Sequence, residues 1–181
     1  MNTFNYYQYE KKHLKPLSYR VFMGISLLWL FLNAAVEAST ASRASEALET
    51  AVRSGYSPET FSLNLFQFDL CFMITISTLN SSLFYIREMG QQVPVLSKYL
   101  FAPVEVRKMY RAKAFLLMRG ACLFYISGLT IYFAAADVTF GAGAPFAQLL
   151  KQFGSALIFC IVVVSIALLA NWYQYRQAIA K

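Results

Sequence analysis

Asp69 is the residue whose setting most suggests chemistry. It lies in LFQFDLCFMITISTLNSSLF, residues 65–84, an apolar stretch interrupted by Asp69, Thr75, Ser77, Thr78, Asn80, Ser81 and Ser82. Asp69, Met73, Ser77 and Ser81 are four apart and share one face of a helix. Unpaired polar groups are costly in hydrocarbon, so this face is expected to turn into the protein. An intramembrane carboxylate is by default a candidate for proton or ion handling. Asp69, Ser77, Asn80 and Ser81 therefore form a possible intramembrane polar site. A structural reading competes: Asp69 is one turn from the external end of its span, where water and a helix N-terminus both favour a carboxylate.

Other reactive side chains are sparse. The only histidine is His13, which removes paired-histidine haem ligation and histidine-based metal clusters. Cys71, Cys122 and Cys160 lie in three different apolar stretches, with no CxxC pair. They read as small buried apolar side chains. No G-x-x-x-x-G-K-[ST] loop and no G-x-S-x-G elbow occurs. The acids are scattered and form no pair at helical spacing within a span. No catalytic, metal or cofactor constellation is expected, so the chain does not read as an enzyme.

The elements that must carry these residues are membrane helices. Of 181 residues, 58% are hydrophobic and 17% aromatic, above the usual range for a soluble domain. Four stretches approach the roughly 20 residues of helix that cross a bilayer core: about 19–38, 65–86, 114–136 and 153–173. The formal charge of +7 is confined to segments beside them, which argues for membrane topology and against nucleic acid. Of 16 Lys and Arg, only Arg43, Arg53 and Lys151 fall in the segments after the first and third stretches. The rest fall in the N-terminal segment, the middle loop or the C-terminal tail. That bias predicts an all-α, multi-pass protein of the cytoplasmic membrane: two helical hairpins, with both termini and the middle loop inside.

The flanking segments carry further signals. Residues 1–18 alternate Phe4, Tyr6, Tyr7, Tyr9 and Leu14 with Lys11, Lys12 and Lys15, which predicts an interfacial helix over about 3–14. Pro16 should break it. In the first external loop, about 39–60, Ala47, Leu48, Ala51 and Val52 predict a short helix ending near Gly55. Arg119 should snorkel to the interface, Trp29 should pack mid-span, and Trp172, Tyr173 and Tyr175 should anchor the fourth helix. The tail is 176–181. No internal repeat aligns.

Positive charge alone explains part of the middle loop, residues 87–113, but its punctuation needs another reason. Glu88 and Gly90 mark a turn. VPVLSKYLF, with Leu96, Tyr99 and Leu100, makes a short amphipathic piece between Pro94 and Pro103. Pro103 suits the first turn of a helix that runs through Lys113 into the third span. The order Glu88, Gly90, Leu96/Leu100, Pro103-Val104, Ala112-Lys113 resembles the loop between the second and third spans of ABC-2-type transporter permeases. The basic N-terminal helix matches in position, and the resemblance covers roughly the first 115 residues. It implies a coupling helix at Glu88, Gly90, Leu96, Tyr99, Leu100, Pro103 and Val104 that docks a cytoplasmic ABC ATPase. That partner would bind the ATP and magnesium. It also implies a second membrane subunit or a homodimer, and an exported peptide, lipid or other amphipathic cargo. The chain departs from the family in having four spans rather than six, and in Pro94, where a helix would continue. Two other readings are a non-transporting accessory or immunity protein, and a small proton-coupled transporter using Asp69.

Overall fold

A computed structural model describes residues 5–14, 16–52, 65–98, 105–140 and 146–179. Six helices and one hairpin run in the order α1 (Tyr6–His13), α2 (Pro16–Val52), α3 (Phe66–Phe84), β1 (Tyr85–Glu88), β2 (Gln91–Pro94), α4 (Val95–Lys98), α5 (Val106–Phe140) and α6 (Phe146–Ile179). The four long helices run up and down beside one another. Among the described residues, three segments are long and apolar enough to cross a membrane: Tyr19–Thr40, Val106–Val138 and Phe146–Ile179. That makes a multi-pass membrane protein, mostly helical. The fourth long helix, α3, is 19 residues and spans about 28 Å, close to the bilayer core. Its polar residues lower its mean hydropathy.

The packing follows from that solvent. Large apolar side chains face outward along α2 (Ile25, Leu28, Phe31, Leu32) and α6 (Ile158, Ile166, Leu169). In water such faces would be unfavourable; in lipid they are the expected exterior. The interior is built from Leu30, Phe68, Phe72, Ile76, Leu79, Leu83, Leu117, Phe124 and Phe153. On α3 this buried stripe recurs at helical spacing. α5 approaches it closely at Gly128, where a Cβ would stand 2.4 Å from Phe68 Cε2. Only glycine leaves room for that ring. Phe68 in turn stacks edge-on against Phe153, with centroids 5.3 Å apart.

Several boundaries differ from the sequence reading. α2 continues without a break through 39–52, so the expected short external helix is an extension of the first span. Nothing in that stretch stops a helix: it holds no Gly or Pro before Gly55, which lies outside the described residues, as do Tyr99, Leu100, Pro103 and Val104. The architecture is also not purely helical. At Tyr85 the chain leaves α3 and forms an antiparallel hairpin with Tyr85 opposite Pro94 and Glu88 opposite Gln91. Its two-residue turn is Met89-Gly90, with φ of 48° and 81°. Two successive positive φ values make the turn geometry whose twist matches paired strands. Gly90 takes that conformation freely; Met89 does so at a cost. Pro94 ends β2, and the short helix α4 begins at the next residue. Trp29 is half exposed, its indole N–H donating to Gln67 Oε1 at 3.4 Å, so it is not a packed core residue.

Candidate functional site

The two ends of the bundle handle polar groups in opposite ways. At the α1 end they are cross-linked. α1 begins at Asn5, whose side chain accepts from Gln8 N at 3.1 Å, and lies against the start of α5. Lys113, 4% exposed, donates to Glu10 Oε2 at 2.5 Å and to the Leu83 carbonyl at 2.7 Å. Glu10 is itself 8% exposed. One ammonium therefore ties α1, α3 and α5 together and satisfies an unpaired helix-end carbonyl. Tyr6 Oη accepts from Glu105 N at the start of α5, and Tyr7 Oη accepts from Arg119 Nη1 at 2.9 Å. The interfacial helix expected at the N-terminus is thus clamped to the bundle.

The same end joins α3, α5 and α6. Asn171 Nδ2 donates to Asn80 Oδ1 at 2.7 Å, and Tyr110 Oη donates to the Leu168 carbonyl at 3.0 Å. The Tyr110 ring packs between Phe84 and Trp172. Asn80, singled out from sequence, is therefore one half of an inter-helix amide pair.

The hairpin projects from this end. Tyr85 Oη donates to Gln174 Oε1 at 2.8 Å, and Val95 and Leu96 are buried, which fixes the hairpin base. Lys98 pairs with Glu88 across the exposed side. Met89 at the tip is fully exposed. Of the sequence-assigned docking residues, Glu88 and Gly90 stand at the tip, whereas Leu96 is an internal anchor. Ala112 and Lys113 are buried among the helices, so their pairing in the loop pattern has a packing cause.

The opposite end leaves polar atoms unpartnered. Glu37 Oε2, Asp69 Oδ1 and Tyr132 Oη are all buried atoms and make no hydrogen bond among the described residues. They come from α2, α3 and α5. Glu37, Asp69 and Cys71 all lie within electrostatic range of Tyr132, and Asp69 within range of Cys160 on α6. Tyr132 is 1% exposed and packs edge-on against Phe153 at 5.4 Å. Two carboxylates and a phenol thus converge without a cation among the described residues. No group of three His, Cys, Asp or Glu among those residues is arranged to hold a metal ion.

This cluster is not the face expected from sequence. Met73 and Ser77 are exposed, and Ser81 is half-buried. Thr78 and Ser82 donate to carbonyls of their own helix, so α3 satisfies these hydroxyls without turning them inward. Asp69 and Glu37 lie instead within electrostatic range of Tyr132, one of 12 tyrosines with no distinguishing neighbour. The legible signal was modest: Glu37 follows an apolar run with no helix-breaking residue after it. The chain matches no protein-family model, no curated protein and no solved structure.

Proposed function

We propose that this chain is the non-catalytic membrane subunit of an ABC-type transporter, exporting a peptide, lipid or other amphipathic cargo. It crosses the cytoplasmic membrane four times with both termini inside. A separate ATPase docks on the hairpin and drives it, and a second membrane subunit or a second copy completes the path. The observation that carries this reading is Met89. A large apolar side chain stands fully exposed at the tip of an anchored hairpin, in a backbone conformation unfavourable for any residue but glycine. A partner surface that receives the side chain accounts for both features. The anchored base would pass a partner's movement directly into α3, α4 and α6, a rigid-body mode of coupling.

The test is co-purification of the detergent-solubilised full chain from its native cells. A P-loop ATPase should accompany it. Met89→Asp and Gly90→Pro should each release that subunit while membrane insertion is retained. Proline cannot adopt a φ of 81°, so the second change opens the turn. Retention of the ATPase by both variants would sink the docking assignment.

The Glu37, Asp69 and Tyr132 cluster supports a second reading, a small proton-coupled transporter in which Asp69 carries the proton. Asp69→Asn should then abolish the pH dependence of transport by reconstituted protein, and normal pH-dependent transport would reject it.

A further inference from the structure

A cavity of about 300 Å³ opens between α1, the start of α2, α3 and α5. Its lining has two parts. Lys11, Arg20 and Arg119 come from three different helices and converge on it, while Leu14, Met23 and Leu123 continue the wall with apolar surface. We propose that this groove binds an anionic glycerophospholipid, the phosphate held by the three cations and an acyl chain lying along the apolar wall.

The charge balance carries the inference. The ion pairs among the described residues occupy Lys98, Lys108 and Lys113, so none of the three groove cations has a carboxylate partner there. Glu10, adjacent to Lys11 in sequence, is taken up by buried Lys113. Arg119 interrupts the apolar run FLLMRGACLF within a membrane-crossing helix, and its recorded contact is the neutral Tyr7 hydroxyl. Arg119 is exposed on its helix, so its guanidinium is open to an anion at the headgroup level. A phosphate diester offers two oxygens to its fork of N–H donors. Three cations exceed the single phosphate charge of a zwitterionic headgroup, so a headgroup of net negative charge fits better. The apolar half of the lining has no role for a free anion and suits a lipid tail.

The experiment uses the purified full chain in detergent, titrated with phosphatidylglycerol, phosphatidylcholine or inorganic phosphate, with bound lipid read by native mass spectrometry. Phosphatidylglycerol should bind in preference to phosphatidylcholine, and inorganic phosphate at equal concentration should not displace it. Arg20→Ala with Arg119→Ala should weaken phosphatidylglycerol binding roughly 30-fold, as expected for two basic side chains contributing about 1 kcal/mol each. Arg107→Ala with Arg111→Ala removes the same charge from outside the groove and should leave binding within about twofold on that scale. If the first double variant fails to fold, Lys11→Glu on the exposed face of α1 should still lower affinity severalfold. Equal loss in the control pair, no lipid preference, unaltered binding in the groove variants, or displacement by inorganic phosphate would each overturn the proposal.

Discussion

The two ends of this helix bundle each hold a glutamate, Glu10 buried and Glu37 half-buried, and they treat it in opposite ways. At the α1 end Glu10 meets Lys113, which also takes up the Leu83 carbonyl. At the far end Glu37 and Asp69 lie only within electrostatic range of Tyr132, and Glu37 Oε2 has no hydrogen-bond partner among the described residues. The first arrangement locks three elements together. The second leaves polar atoms that no hydrogen bond among the described residues satisfies. The two acids thus differ both in burial and in partner.

Applying one substitution to both ends tests that contrast most severely. Glu10→Met leaves Lys113 buried without its counter-ion and should cost about 3–5 kcal/mol. Glu37→Met replaces an unpartnered polar group with an apolar one of similar length and should be neutral or stabilising. Denaturant-induced loss of helix in a fixed detergent measures both; similar destabilisation at the two sites would erase the distinction. A Glu10→Met, Lys113→Met double variant should regain most of the stability lost by Glu10→Met alone.

A smaller effect is expected where the two ends share an interior. Gly128→Ala drives a Cβ toward the Phe68 ring and should cost about 1–3 kcal/mol by the same assay. Because Phe68 contacts Phe153, which packs on Tyr132, the change should also disturb the acidic end more than the Lys113 clamp. Near-ultraviolet circular dichroism and the pH dependence of unfolding would register that difference. The smallest effect belongs to the projecting hairpin. Met89→Gly removes the left-handed penalty and should stabilise the turn by about 1 kcal/mol. If Met89 is a docking residue, the same change should weaken partner capture, so stability and binding move in opposite directions.

Much of the architecture was legible because a membrane imposes strong local rules. The apolar runs around Leu30, Leu117 and Val163 foretell long helices from composition alone. The turn at Glu88–Gly90 was visible in Gly90, although its strands were not: TyrIleArgGlu and GlnGlnValPro carry too few residues to show an alternating pattern. The candidate site was half legible. Asp69 stands out as a carboxylate among apolar residues, but no period relates it to Glu37 or Tyr132. The polar face drawn through Met73 and Ser77 assumed that hydroxyls must turn inward, whereas a helix can satisfy them from its own carbonyls.

Composition and charge order by themselves determined that this is a helical membrane protein, because hydrocarbon requires backbone groups to be satisfied within each helix. Only the tertiary structure decided which acids are paired and which are left alone. Glu10 and Lys113 are 103 positions apart, and Glu37, Asp69 and Tyr132 come from three helices. Such partnerships depend on how the helices are rotated against one another. Rotation is set by packing contacts such as Phe68 on Gly128, a quantity that no short window of sequence contains.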